Sequence, residues 1–268
     1  MTSLPRYAEE IPDFPKAQRA PGLVLALLEG RALLEMGAYL AATPALRRYP
    51  KGDGQPVMVL PGFGAGDSAT LPVRRFLKNR GYPTYGWQEG INLGRRAGLF
   101  TKLHQRITFL RNKHNKRVSL VGWSLGGVIS RALAFQDAAD LRSVVTLGSP
   151  LYATHESTNI SLLLRLAQRL RGEAVIPTQV PTTPWKNEPE TPVPFSSIYS
   201  RTDGIVAWQT CLEPNLVLRE NIHVPTSHLG FLFNPLTLYV IADRLAQPEG
   251  SFKPFAPSPI LQTLLRSS

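Results

Sequence analysis

Residues 117–127 read Arg117-Val118-Ser119-Leu120-Val121-Gly122-Trp123-Ser124-Leu125-Gly126-Gly127. A short apolar run with strand character passes directly into the pattern Gly-x-Ser-x-Gly, and an apolar helical pattern follows. The spacing predicts a strand, a tight turn with Ser124 at its tip, and a helix, the elbow that presents a serine nucleophile. Gly122 and Gly126 carry no Cβ, so the chain can bend sharply there and its arms can pack closely. The bend drives the Ser124 hydroxyl out of the sheet. The Leu125 N–H then sits in the first turn of the helix, where it can face a developing negative charge. An ordinary serine in a Gly-rich turn is the alternative, and the rest of the chain decides between them.

Working outward, residues 56–60 (Pro-Val-Met-Val-Leu) form an apolar run ending in Pro61-Gly62-Phe63-Gly64, which reads as a buried strand entering a Gly-rich loop. A helix is expected over 70–80, with Thr70 as its cap and Pro72 in its first turn. A strand is expected over 82–87, a helix over 99–113 and the elbow helix over 126–136. Strands follow at 141–147 and 195–199, with two short ones at 215–218 and 222–224. A last helix begins at Asn234-Pro235 and stops before Pro248. Strands alternating with helices imply a mostly parallel sheet of about six strands with helices on both faces. In such sheets the site lies outside the carboxyl ends of the strands, where the 61–66 loop and Ser124 both fall.

The rhythm breaks after Pro150. Residues 151–195 hold one amphipathic helix, Ile160–Arg171, and a Pro-rich tail. Its apolar face, which includes Leu163 and Leu166, suits a lid over an apolar pocket; simple packing on the surface is the other reading. The chain thus divides into an N-terminal helical extension (1–50), a first core part (51–150), a lid-like insertion (151–195), a second core part (196–248) and a tail (249–268). No internal repeat is evident.

With 268 residues, 43% of them hydrophobic, the chain can bury a sizeable core and is not a disordered one. The single cysteine, Cys211, excludes an intramolecular disulfide and permits a reducing, cytoplasmic setting; it reads as a small buried hydrophobe. Residues 1–20 carry three acidic groups and no apolar h-region, unlike a secretory signal. The stretch 23–40 is apolar, but Glu29, Arg31 and Glu35 interrupt it, which argues against a membrane span. It reads as a helix docked on the domain, with peripheral contact to a membrane surface as the alternative. The net charge of +11 is scattered and accompanies no nucleic-acid-binding motif, so nucleic acid is not an expected partner. No phosphate-cradling glycine motif and no metal-ligand spacing are present, so no metal is expected.

A serine hydroxyl is a weak nucleophile at neutral pH and needs a base beside it; histidine suits that task, and an acid must orient the histidine. His228 lies in a polar loop before the last helix and is the preferred base. His223 sits inside a strand, His104 and His114 lie on an earlier helix, and His155 is in the insertion. Asp203, in Ser200-Arg201-Thr202-Asp203-Gly204 after a strand, is the preferred acid, although a plain turn aspartate would look the same. Glu213 and Glu220 compete with it. Asp137 and Asp140, at the end of the elbow helix, are expected to cap or face solvent. The N–H groups of Phe63 and Leu125 are the candidate pair of oxyanion donors, and Trp123, Leu163 and Leu166 are candidates for substrate contact.

Four motifs then stand in order: Leu60-Pro61-Gly62-Phe63-Gly64, Gly122-Trp123-Ser124-Leu125-Gly126-Gly127, Ser200-Arg201-Thr202-Asp203-Gly204 and Ser227-His228. In these the chain resembles the α/β-hydrolase superfamily, lipase and esterase branch. The resemblance spans residues 56–246. It implies a Ser124–His228–Asp203 triad, an acyl-enzyme on Ser124, an oxyanion hole from Phe63 and Leu125, no organic cofactor, and an ester substrate that is a small molecule or a lipid. An acyltransferase on the same scaffold and a catalytically silent binding protein are compatible with the same motifs. Many lipases have His-Gly where this chain has Pro61-Gly62; the backbone donor at Phe63 does not depend on that side chain.

Overall fold

The computed structural model describes residues 19–94, 96–152, 193–214, 217–259 and 262–263. The expected lid helix over 160–171, with Leu163 and Leu166, His155 and the Pro-rich tail as far as residue 192, lies outside them. Six strands form one parallel sheet: β1 (Val57–Leu60), β2 (Thr84–Gly86), β3 (Val118–Trp123), β4 (Leu141–Leu147), β5 (Phe195–Tyr199) and β6 (Arg219–His223), in the order β2-β1-β3-β4-β5-β6.

The four inner strands, β1, β3, β4 and β5, are buried on both faces almost throughout, so their sequences show no in–out alternation that could be read by eye. The structure separates the two sides. Val57, Val59, Val121, Val145, Leu147 and Ile198 face a core shared with helices α3 (Leu71–Asn79) and α6 (Pro235–Leu245). Met58, Leu60, Leu120, Val144 and Phe195 face the core beneath α4 (Leu99–His114) and α5 (Leu125–Gln136). The chain leaves β1 toward β2 on one side and returns to place β3 on the other. The carboxyl ends of β1 and β3 therefore flank the point where strand order reverses, the place where such sheets leave a crevice.

Element boundaries differ from expectation where side chains do not decide them. Of the two short strands expected, the one at 222–224 is the end of a longer strand, β6, Arg219–His223, which pairs residue for residue with β5; of the one at 215–218, residues 217–218 form a turn and 215–216 lie outside the described residues. Thr70 stands at the N-cap position of α3, as expected, but its side chain makes no capping bond; its hydroxyl donates backward to the Asp67 carbonyl. Asn234 does cap α6, accepting from the N–H of Leu236 and Thr237.

The N-terminal extension forms α1 (Leu23–Leu28), one turn of 3-10 helix (Glu29–Arg31) and α2 (Ala32–Leu46). This arm packs against α6 and, through its polar residues, against the loops that follow β5 and β6. Among the described residues no helix is long and apolar enough to cross a membrane.

Candidate active site

Ser124 follows β3 at φ 52°, ψ −123°, a conformation that costs an L-residue about 1–3 kcal/mol. Its own N–H is spent on the Leu147 carbonyl at 2.9 Å, which fixes the turn to the end of β4. The elbow closes because two side chains are missing. A Cβ on Gly122 would lie 2.4 Å from Gly127 Cα, and one on Gly126 would lie 2.3 Å from the Leu60 carbonyl oxygen. The second contact seats the start of α5 on the end of β1 and brings the Phe63 loop beside the serine. A Cβ on Gly62 would lie 3.1 Å from Ser124 Cβ.

Buried Asn92 holds that loop. Its side-chain amide donates to the Pro61 carbonyl at 2.7 Å, its carbonyl accepts the Gly64 N–H at 2.8 Å, and its N–H donates to Ala65 at 2.8 Å. Proline in place of the lipases' histidine at position 61 thus leaves the loop well anchored. Sequence reasoning passed over Asn92 because its partners lie some thirty residues earlier.

Asp203 and His228 meet at the carboxyl end of the sheet. His228 Nδ1 and Asp203 Oδ2 are 2.7 Å apart, and both side chains are buried. Asp203 Oδ1 accepts the N–H groups of Ile205 and Val206, each at 2.8 Å, so both carboxylate oxygens are committed and the group cannot swing. Its carboxylate bonded to Nδ1 favours the tautomer with the proton on that nitrogen, leaving Nε2 as the basic one. Trp123, a candidate substrate contact, is 6% exposed, and its indole N–H donates to the His228 carbonyl at 3.0 Å. It ties the strand that carries the serine to the loop that carries the histidine.

Burial by itself lowers the pKa of His228. The charge and hydrogen bond of Asp203, with a further contribution from Glu29, outweigh burial and raise it above the ordinary histidine value. Burial, then Asp203, pushes the Cys211 thiol far up, so it stays protonated and inert, as a small buried hydrophobe should.

The competing carboxylates are all engaged elsewhere. Glu213 is fully buried between Arg131, Arg219 and the Tyr152 hydroxyl. Glu220 binds Ser196, Arg244 and the Phe255 N–H. Asp137 stands at the C-cap of the elbow helix, buried and paired with His104, while Asp140 takes Thr108 and Arg111. His223 lies within β6 and His114 bonds the Tyr85 hydroxyl. Among the described residues no cluster of three or more His, Cys, Asp or Glu is placed to hold a metal ion.

Three charged residues read only as interruptions of an apolar stretch turn out to grip these loops. Glu29 accepts backbone N–H groups on either side of the Asp203–His228 pair. Glu35 accepts from the Ser227 N–H and hydroxyl and from the Thr226 hydroxyl. Arg31 donates to the carbonyl and hydroxyl of Thr202.

No protein-family model matches the chain. Among solved structures it is similar to Aspergillus fumigatus lipase B, at TM-score 0.53 and 17% identity over 79% of this chain and 56% of that one. It is also similar to mature Bacillus licheniformis lipase BlEst2, at TM-score 0.55 and 16% identity over 74% of this chain and 94% of that one. A third structure, from work on the metagenome-derived lipolytic enzymes LipS and LipT, gives TM-score 0.52 and 14% identity over 73% and 93%. The chain spans little more than half the length of the A. fumigatus protein. The likeness is one of fold: this is an α/β-hydrolase fold, with its parallel sheet and helices on both faces.

Proposed function

We propose that the chain is a serine carboxylic ester hydrolase acting on esters of apolar acyl chains. The observation that carries the reading is the buried Asp203–His228 pair, at 2.7 Å, set at the same end of the sheet as a serine held in the strained elbow conformation. Ser124 attacks the ester carbonyl as His228 Nε2 takes the hydroxyl proton. The N–H groups of Phe63 and Leu125 receive the oxyanion, and each such donor is worth about 3 kcal/mol of barrier. His228 then returns the proton to the leaving alcohol, which leaves an acyl group on Ser124. Water, deprotonated by the same imidazole, attacks the acyl carbonyl; the proton goes to Ser124 as the acid departs. Asp203 keeps the imidazole in the required tautomer and balances its positive charge.

The exposed apolar side chains of the arm support a substrate carried in lipid. Leu23, Val24, Leu27, Leu33, Leu34 and Leu40 are each 67–77% exposed, on the element whose inner side grips the acid and histidine loops. An apolar surface of this kind beside a reaction centre suits a lipid–water interface.

The test is labelling with a fluorophosphonate and turnover of p-nitrophenyl acyl esters. Wild type is expected to label on Ser124 and to hydrolyse the esters. Ser124→Ala is expected to do neither, and Asp203→Asn to lose about 10⁴-fold in kcat. Absence of labelling would identify a silent scaffold. Acyl transfer to an added alcohol in preference to water would identify an acyltransferase.

A further inference from the structure

Given that reading, we propose that Glu29, on the N-terminal arm, is a positioning residue that sets the acid and the histidine relative to each other. Its carboxylate accepts the Gly204 N–H at 2.8 Å and the His228 N–H at 2.9 Å on Oε1, and the Leu229 N–H at 3.3 Å on Oε2. These are the peptide groups immediately after Asp203, at His228 and immediately after His228. One carboxylate therefore spans two loops that are otherwise separate in the chain, and its charge makes each bond stronger than a neutral one.

The close fit of the arm on these loops depends on what Gly204 lacks. A Cβ there would lie 2.2 Å from the Leu25 carbonyl oxygen, so only glycine lets the backbone of α1 approach far enough for Glu29 to reach. The rest of the inner face repeats the arrangement. Arg31 holds Thr202 through its carbonyl at 2.6 Å and its hydroxyl at 2.8 Å, Glu35 accepts the Ser227 N–H at 2.9 Å, and Arg31 and Glu35 pair at 3.4 Å. Both loops are thus referred to one helical element. Displacement of a reacting group by about 1 Å can cost about a hundredfold in rate, which is the scale of effect that such a clamp prevents.

The charge of Glu29 gives a second readout. The ionisable groups around His228 are Asp203 on Nδ1, Glu29 at its backbone N–H, and Glu35 with its partner Arg31 one residue back at Ser227; Cys211, near Asp203, is neutral. Glu29 favours the protonated imidazole. Its neutralisation therefore moves the titration of His228 to lower pH, an effect that a carboxylate serving only the fold at a distance would not produce.

The decisive variant is Glu29→Gln, which keeps the shape and one acceptor oxygen but removes the charge. The expected result is a folded protein whose kcat falls about ten- to a hundredfold while KM changes less than about twofold, with the acid limb of kcat/KM displaced downward. Glu29→Ala should show the same shift with a larger loss. The His228 imidazole, followed by NMR in a Ser124→Ala background, should titrate lower when Glu29→Gln is added, and this needs no turnover. Failure of wild type to label or hydrolyse would sink the ester-hydrolase reading and leave the NMR comparison to decide the role of Glu29. An unchanged His228 titration with unchanged kcat overturns the inference. So does failure of both variants to fold, which would place Glu29 in the fold instead of at the site.

Discussion

Gly230 leaves room for Glu35. A Cβ at position 230 would lie 1.4 Å from Glu35 Oε2, so the carboxylate of the arm occupies the space where any larger residue would put its first side-chain atom. Gly204 has the matching relationship to the α1 backbone, with a distance of 2.2 Å to the Leu25 carbonyl oxygen. The two glycines, one beside the acid and one two residues beyond the histidine, make the arm and the site a single packed unit.

The two contacts differ in what must yield. At 230 the obstacle is the end of a flexible side chain, so Gly230→Ala should expel the Glu35 carboxylate and strand the Ser227 N–H, costing about 1–3 kcal/mol. At 204 the obstacle is helix backbone, so Gly204→Ala should lift the arm itself and cost more. Thermal melts should therefore rank wild type above Gly230→Ala above Gly204→Ala. Esterase activity should fall further than stability in the second variant, because Glu29 leaves with α1. The reverse order of melting temperatures would mean that the arm is not seated as described.

The strain at Ser124 predicts a trade between stability and chemistry. Its φ of 52° and ψ of −123° suit glycine and penalise any residue with a Cβ by about 1–3 kcal/mol. Glycine gives back about 0.5–1 kcal/mol of that through the entropy of the unfolded chain. Ser124→Gly should thus be inactive and more stable by about 1 kcal/mol, a rise of about 2 °C in Tm for a chain of this size. A Tm below that of wild type would show that the elbow is not under strain.

The elevated pKa of His228 gives two pH effects. As a base the imidazole must be neutral, so kcat/KM should rise with pH and reach half its plateau above the ordinary value of about 6.5. For stability the sign is opposite. A group whose pKa is raised on folding contributes fully below its unfolded value, and the contribution fades as pH climbs through the folded one. The Tm advantage of wild type over Asp203→Asn should therefore be larger at pH 5.5 than at pH 8.5. An advantage that grows with pH would show that burial, not Asp203, governs His228.

The elbow, the order of the motifs and five of the six strands were legible because each is a local pattern: an apolar run, a glycine spacing, a polar turn. The pairing of Asp203, and not Glu213, with His228 was legible for the same reason, since its strand–turn setting is local. What governs the arm is not local. Glu29 and His228 are 199 positions apart, and nothing near either announces the other; the only trace was three charges in a stretch that is otherwise apolar. Gly204 read as part of a turn and nothing in the sequence singled out Gly230, although the lack of a side chain at both serves contacts made from the other end of the chain. The placement of β6 also escaped, because its register follows β5 and its sequence, Arg-Glu-Asn-Ile-His, is mostly polar.

The exposed leucines of the arm separate a lipid-directed enzyme from one acting on dissolved esters. Leu27 and Leu34 are 73% and 77% exposed, so replacing both with serine disturbs no packed core. Withdrawing a leucine side chain from water is worth about 1.5–3 kcal/mol. The loss of two should weaken attachment to a lipid surface at least about tenfold, even with partial immersion. The double variant should then match wild type on a short acyl ester below its micelle concentration, where no interface exists. On a long-chain ester above that concentration it should lose the rise in rate expected of wild type, and salt should not restore it, since no charge has changed. Equal rates for the two proteins on the dispersed substrate would remove the lipid surface from the reading while leaving the serine chemistry intact, because the arm's bonds to the Asp203 and His228 loops are made by Glu29, Arg31 and Glu35 and not by these leucines.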